Sequence, residues 1–186
     1  MAAVAALKER FQAFINGEVI PLEPLLEAGG EAAAKAMADL KARAERLAQH
    51  RIDTVVHLAS IVTPGPRSRR DFEYAVDVLG TQKVLQACLA AGVRRIVVSS
   101  SGAAYGYHAD NPEWLTEDHP VRGNEAFAYS HHKRLVEEML AEYRSAHPSL
   151  EQVVFRVGTI LGETTRNQIT ALFERPRLIA IKGSKS

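Results

Sequence analysis

Three short apolar runs, separated by long helical stretches, constrain the fold of this chain more than any other feature. Asp53–Ala59 and Arg95–Val98 are nearly continuous in apolar and β-branched residues, and Gln152–Arg156 forms the third run. Such runs are typical of strands covered on both faces. Between the first two, Asp71–Ala91 predicts a helix that ends at Gly92, a residue that readily takes a left-handed backbone. The alternation predicts a doubly wound parallel α/β sheet, which binds ligands at the carboxyl ends of its strands.

Helical and strand patterns on either side of these runs complete the predicted organisation. A helix over Glu31–His50 is rich in alanine, leucine and charged residues and contains no helix breaker. We divide the chain into a helical N-terminal segment with one short strand, residues 1–50, and an α/β core, residues 51–186. The other predicted elements are helices over Ala3–Phe14, Ala126–Ala146 and Asn167–Glu174, a strand over Glu18–Leu22 and a last apolar run over Leu178–Ile181.

Charge and cysteine content exclude several classes of function. The 186 residues suffice for one substantial core, and the formal net charge of +1 gives no overall field for nucleic acid or an anionic membrane. Cys88, the only cysteine, lies in an apolar helical stretch, which excludes an intrachain disulfide and fits a reducing compartment. The N-terminus lacks the pattern of a signal peptide. We expect a cytoplasmic protein whose partner is a small molecule.

Two polar motifs follow at positions where such a sheet binds ligands. The stretch Ser99–Gly106 comes directly after the second strand and offers three hydroxyls beside small residues. Tyr129 and Lys133 lie four residues apart in the next predicted helix, so they share one face. An ammonium beside the phenol favours the phenolate form and suits a general acid/base. Taken alone the serine stretch is typical of an ordinary turn, but its place before the tyrosine and lysine favours a shared site.

In order and spacing, five segments of this chain resemble the extended short-chain dehydrogenases/reductases, the NAD-dependent epimerase/dehydratase group. The resemblance covers the chain from about residue 53 to its C-terminus. The segments that carry it are Asp53–Ala59, Val78–Thr81, Ser99–Gly106, Tyr129–Lys133 and Arg156–Gly162.

The resemblance implies a Rossmann-like catalytic core in residues 51–186 and a role for particular residues. It implies that Ser101 hydrogen-bonds the reacting oxygen, that Tyr129 exchanges a proton with it, and that Lys133 also holds the nicotinamide ribose. The implied activity is that of an NAD(P)-dependent oxidoreductase or epimerase/dehydratase acting on a hydroxyl or carbonyl carbon of a small molecule such as a nucleotide sugar. The implied contacts of the cofactor, NAD or NADP, are Leu58, Ala59, Ser60, Ser99, Tyr129, Lys133, Val157 and Thr159.

One feature of the family is missing from this sequence. No Gly-x-x-Gly-x-x-Gly turn precedes Asp53, although those glycines let main-chain amides and a helix N-terminus take the pyrophosphate. The predicted Rossmann-like sheet is therefore incomplete, and its first apolar strand is left at an edge that invites pairing. Three repairs stay open: residues 18–22 take the vacant place, a second copy covers the edge in a homodimer, or the sequence is a fragment.

Two hypotheses of function follow, from different classes. The first is the catalytic core of an NAD(P)-dependent enzyme, and the second is a noncatalytic Rossmann-like remnant or interaction module that cannot hold the dinucleotide. Asp77 stands where the family usually has asparagine. That carboxylate either alters a buried polar contact or is a solvated, locally paired helix residue.

Other polar and aromatic residues are expected to have structural roles. For the seven histidines we predict surface or capping positions and no metal site, because they are scattered and the adjacent His131 and His132 point apart on a helix. Arg67, Arg69 and Arg70 are predicted to lie in a solvated loop rather than on a substrate phosphate. For Trp114, a contact with the edge of the core is favoured over a cover for the substrate.

Overall fold

The structure is a computed structural model, and it describes residues 31–62, 65, 67–160, 162–163 and 171. Predictions for Ala3–Phe14, Glu18–Leu22, Leu178–Ile181 and, apart from the helical Ala171, Asn167–Glu174 lie outside these residues. In chain order the described elements are α1 (Glu31–Gln49), β1 (Thr54–His57), α2 (Arg70–Tyr74), a π-helical turn (Ala75–Leu79), α3 (Gly80–Ala91), β2 (Arg95–Ser101), a 3-10 helix (Gly102–Tyr105), α4 (Ala128–Ala146) and β3 (Glu151–Val157).

The three described strands form one parallel sheet in the order β1-β2-β3. In register, His57 at the end of β1 pairs with Val98, and Ser101 at the end of β2 pairs with Val157 at the end of β3. Because all three strands run the same way, their carboxyl ends meet at one edge of the sheet, where open α/β sheets bind ligands. The predicted parallel α/β architecture is confirmed.

The second strand is longer than the sequence predicts. Ser99, Ser100 and Ser101 continue β2 and pair with Phe155, Arg156 and Val157 of β3. The prediction of a serine-rich loop beginning at Ser99 is therefore wrong for its first three residues, because pairing with a neighbouring strand outweighs the weak turn preference of serine. The backbone leaves the sheet only at Gly102.

The two faces of the sheet differ in their cover. Ile96 and Val98 of β2 are 0% and 2% exposed, and they pack into one core with residues of α3 and α4, among them Leu85 and Leu140. On the other face, Val56 of β1 remains 59% exposed. The core of the described residues thus lies between one face of the sheet and its helices.

The helical segment between β1 and β2 is one long rod with an irregular turn inside it. It runs from Arg70 to Ala91 and contains a π-helical turn over Ala75–Leu79. It ends at Gly92, whose φ of 70° lies in the left-handed region that glycine enters without a Cβ clash. The predicted end of this helix is confirmed, while the π-helical turn has no counterpart in the sequence prediction.

Several predicted structural roles need correction, and others hold. His57 and His132 are 8% and 2% exposed, so the prediction of surface or capping positions is wrong for them. Trp114 is 80% exposed, which overturns the expected contact with the core. Arg69 is solvated and pairs with Asp71, in agreement with the predicted solvated loop.

Cys88 is fully buried, as predicted. Burial also raises the pKa of its thiol to about 12, because the thiolate is poorly solvated inside the core. A separate observation concerns membranes: none of the helices in the described part of the chain has the length and hydropathy needed to cross a bilayer.

Candidate active site

Most of the predicted site residues lie at the carboxyl ends of three neighbouring strands. Leu58–Ser60 directly follow β1, Ser99 and Ser101 are the last odd-numbered positions of β2, and Val157 ends β3. The sheet therefore brings these three groups to one edge. Thr159 lies two residues beyond β3 and is exposed.

Tyr129 and Lys133 occupy the first two turns of α4, on the same side of the helix. The Lys133 ammonium stands 5.5 Å from the centroid of the Tyr129 ring, and its Nζ donates a hydrogen bond of 2.8 Å to the carbonyl of Ser99. Burial lowers the pKa of Lys133 from its ordinary value, while the carboxylates of Asp77 and Glu137 raise it. The four-residue spacing thus places the ammonium near the tyrosine ring, while its place beside the Tyr129 hydroxyl stays a prediction.

Ser101 and the start of α4 are tied to the same short turn. The amide of Ala103 donates to the Ser101 hydroxyl at 3.1 Å, and the hydroxyl of Ser130 donates to the carbonyl of Ala103 at 2.7 Å. Because Ser130 directly follows Tyr129, this turn links the end of β2 to the tyrosine. That the hydroxyls of Ser101 and Tyr129 share one reacting oxygen stays a prediction.

A buried polar network lies beneath these residues. The carboxylate of Glu137 accepts from the hydroxyl of Ser100 at 2.5 Å and from Nε of Arg156 at 2.7 Å. Arg156 also donates to the hydroxyl of Tyr105 at 2.7 Å, and Tyr105 donates in turn to the carbonyl of Thr116. The network therefore joins β2, β3, α4 and the loop beyond the 3-10 helix.

Asp77 is a second point of convergence. Its carboxylate accepts from the amide of Ile61 at 2.8 Å and from Nδ1 of His132 at 3.0 Å. Asp77 and His132 are 4% and 2% exposed. The structure therefore decides between the two readings of Asp77: it makes buried polar contacts rather than facing solvent.

The residues at the carboxyl edge of the sheet fit a nucleoside of a dinucleotide better than they fit its pyrophosphate. The hydroxyl of Ser60 is buried without a hydrogen-bond partner among the described residues, and the neighbouring Leu58 is 69% exposed. An unsatisfied buried hydroxyl beside an exposed apolar side chain is suited to a ligand with both polar and flat apolar parts. Lys133 adds a charged donor at the same edge of the sheet. For a pyrophosphate, the sequence offers no glycine-rich turn of the family's spacing.

Three polar residues near the site were not predicted from the sequence. Glu137 follows Lys133 by four residues and Tyr129 by eight, so helical spacing alone places all three on one face. That signal was available. His57 and His132 carried no such signal, because their partners, Thr81 and Asp77, come from other elements.

The chain matches the family model described as "NAD dependent epimerase/dehydratase family" over residues 10–178. Most of the sequence lies within that match. The chain therefore belongs to the NAD-dependent epimerase/dehydratase family, as the motifs at the strand ends predict.

Relatives with established names and solved structures agree with this membership. The chain is 32% identical over 121 residues to the UDP-glucose 4-epimerase of Erwinia amylovora, which covers 64% of this chain and 35% of that protein. It also resembles the structure of UDP-glucose 4-epimerase from Brucella ovis in complex with NAD, with a TM-score of 0.54 and 27% identity over 63% of this chain and 35% of that one. MoeE5 in complex with UDP-glucose and NAD has a TM-score of 0.57 and 30% identity, covering 70% of this chain and 42% of that one.

The coverage is unequal on the two sides of each comparison. The chain spans about a third of the length of the curated relatives it matches, between 31% and 40% for the UDP-glucose 4-epimerases of Azospirillum brasilense and Rhizobium leguminosarum. Among the residues that the structure describes, the Rossmann-like fold of these neighbours is present in part, as a three-stranded parallel sheet with its helices.

Proposed function

We propose that this chain carries the proton-transfer centre of an NAD-dependent epimerase or dehydratase that acts on a hydroxyl-bearing carbon of a nucleotide sugar. The observation that carries the proposal is the position of the Lys133 ammonium, held by the Ser99 carbonyl at 2.8 Å and standing 5.5 Å from the centre of the Tyr129 ring. The names of the relatives, which are UDP-glucose 4-epimerases, favour a nucleotide sugar as the substrate class.

Tyr129 is the proposed general acid/base. A phenolate stabilised by a fixed cation can take a proton from a substrate hydroxyl, and the resulting phenol can return it to a carbonyl oxygen. Lys133 supplies that cation, since its bond to a main-chain carbonyl limits where the ammonium can lie. In this proposal the phenolate of Tyr129 accepts the proton of the substrate hydroxyl, the phenol returns it in the reverse step, and Lys133 stabilises the phenolate.

Ser101 is the proposed partner of the reacting oxygen. Ser101 is the last residue of β2, at the edge formed by the carboxyl ends of the three strands. Its hydroxyl already accepts a hydrogen bond from the amide of Ala103. With that oxygen oriented by the amide, the serine proton is free to point towards a substrate oxygen. Ser101 would then orient the substrate, and Tyr129 would move the proton.

NAD would supply hydride transfer when bound. The residues proposed to hold it are Leu58, Ala59 and Ser60 after β1, Ser99 with Lys133 and Tyr129, and Val157 with Thr159 after β3. The exposed Leu58 suits contact with a flat ring, and the hydroxyl of Ser60, which has no partner among the described residues, suits a polar group of the same ligand. Nothing in these residues separates NAD from NADP by charge.

The alternative is a noncatalytic member of the family that serves as an interaction module. It is favoured by one sequence observation, the lack of a Gly-x-x-Gly-x-x-Gly turn. Main-chain amides of that turn carry much of the affinity for the pyrophosphate. A chain without them would keep Tyr129 and Lys133 while failing to hold the dinucleotide.

Calorimetric titration of the purified chain with NAD and with NADP separates the two functions. Heat that saturates at or below millimolar cofactor supports the enzyme. Its absence in that range supports the noncatalytic alternative. If UDP-glucose is converted, Tyr129→Phe should abolish turnover while leaving cofactor affinity within a few-fold, since the variant removes only the phenolic oxygen. Tyr107→Phe is the matched control, because Tyr107 is 68% exposed and should tolerate the same change.

A further inference from the structure

The carboxylate of Asp77 joins parts of the chain that are far apart in sequence. It lies on the π-helical turn between α2 and α3, a type of helix irregularity that occurs often at functional sites. One oxygen accepts from the amide of Ile61, in the loop that follows β1, and the other accepts from Nδ1 of His132 in α4. Asp77 therefore connects the cofactor-facing loop to the helix that carries Tyr129 and Lys133.

The backbone of the same residue extends the connection to β1. The hydroxyl of Thr81 donates to the carbonyl of Asp77 at 2.6 Å, and Nε2 of His57 lies 2.9 Å from that hydroxyl. Since the Thr81 proton is already used, Nε2 of His57 is the donor in this contact. The end of β1, the π-helical turn and α4 are thus linked by one chain of hydrogen bonds.

Lys133 lies next to His132, and its surroundings are charged. Burial lowers the pKa of Lys133, and the carboxylates of Asp77 and Glu137 raise it. The other titratable groups near the ammonium are Tyr129, whose ring centroid lies 5.5 Å away, and His57, whose pKa is lowered by burial and then by Lys133. Asp77 is 4% exposed and Lys133 is 7% exposed. Asp77 pairs with His132 rather than directly with Lys133, but at such burial the charge of a carboxylate acts on an ammonium with little screening by water.

We propose that Asp77 and His132 are positioning residues that hold the loop after β1 and the Lys133 turn of α4 in one fixed arrangement, with the Asp77 charge balancing the buried ammonium. Neither residue needs to touch the substrate or the cofactor for this role. This arrangement would keep the cofactor-facing loop at a constant distance from Tyr129 and Lys133. Only that purpose rests on the proposed function. The positioning role of Asp77 and His132 can be tested without cofactor.

Three variants separate charge from shape. Asp77→Asn keeps the size and the acceptor for the Ile61 amide but removes the negative charge. His132→Leu removes the donor to Asp77, and His132→Asn restores a donor near the position of Nδ1. Glu138→Gln is the matched control, since it removes a half-exposed carboxylate from the same helix.

The first measurement is the NMR titration of the Lys133 side-chain Cε signal, assigned with Lys133→Arg. We expect a lower midpoint in Asp77→Asn than in the parent chain, and the parent midpoint in Glu138→Gln.

The second measurement is amide hydrogen exchange of Ile61. We expect it to be about tenfold faster in His132→Leu, the size of one lost hydrogen bond to a charged group, and to recover in His132→Asn. The internal control is the Val93 amide, which donates a hydrogen bond to the main-chain carbonyl of Cys88.

An unchanged Lys133 midpoint in Asp77→Asn together with unchanged Ile61 exchange in His132→Leu would overturn the proposal. Should His132→Leu fail to fold, the Lys133 midpoint in Asp77→Asn decides alone. Titration with NAD is the last arm, and we expect both disruptive variants to bind about tenfold more weakly than the parent. If the parent does not bind NAD, the proposed function fails, while the first two measurements still support or overturn the pair.

Discussion

Among the described residues, the two faces of the sheet differ in the side chains that they bury and expose. The helix-covered face buries polar groups that satisfy one another: Ser100 with Glu137, and His57 with Thr81. The opposite face shows apolar side chains to solvent, with Val56 59% and Phe155 55% exposed. Buried polar pairs thus accompany the apolar core on one face, while apolar side chains are left exposed on the other.

The buried polar pairs of the covered face constrain the geometry of the site, whereas the exposed face constrains it little. Buried polar groups are tolerated only with their partners in place, because each unpaired group costs the free energy of its lost hydration. The covered face therefore specifies one arrangement of β2, α3 and α4. The exposed face imposes little constraint of that kind, so substitutions there should matter less.

Glu137→Ala is expected to have the largest effect on stability. It removes the shared partner of Ser100 and Arg156 and leaves a guanidinium, 21% exposed, without its carboxylate. Breaking a buried pair of this kind typically costs about 3–5 kcal/mol. Urea denaturation should show a lower midpoint at an unchanged slope.

The next residue along α4 is the control for that variant. Glu138 is half exposed and lies 3.7 Å from Arg134, so Glu138→Ala should change stability by less than about 1 kcal/mol. Equal losses at the two positions would mean that burial of the Glu137 network contributes nothing beyond helix propensity.

Much of the covered face could be predicted from the sequence, because its strands and helices follow from local patterns. The apolar runs give β1, β2 and β3 to within a few residues, and parallel strands bring their carboxyl ends together. The ammonium of Lys133 beside Tyr129 follows from a four-residue helical spacing. Contacts between distant elements could not be predicted: Asp77 and His132 are 55 residues apart, and no local pattern sets the angle at which their helices meet.

A matched pair of valines compares the two faces directly. Val98→Thr places a hydroxyl in the core, where the side chain is 2% exposed, and should cost about 1–3 kcal/mol. Val56→Thr makes the same change at a 59% exposed position and should stay within about 0.5 kcal/mol. Both variants keep a β-branched side chain, so strand propensity is nearly constant. Similar losses in thermal or urea unfolding would show that Val56 is covered in solution.

The smallest expected effect concerns the titration of His57, on the covered side of β1. Burial, and then the charge of Lys133, lower the pKa of His57 from 6.5. We therefore expect its ring signals in an NMR titration to change at a midpoint below 6.5. Lys133→Gln should raise that midpoint, because it removes the second cause. A midpoint at or above 6.5 in the parent chain would contradict the buried, neutral state.

The same shift predicts how stability depends on pH. In the unfolded chain His57 takes up a proton near pH 6.5, whereas in the folded chain it does so only at lower pH. Between those two values the unfolded state binds more protons, so the contribution of His57 is fully present above pH 6.5 and is lost as the pH falls through the folded pKa. His57→Gln should flatten this part of the stability profile. The Thr81 contact does not oppose this proton uptake, since Nε2 of His57 donates to the Thr81 hydroxyl in the neutral and in the protonated ring.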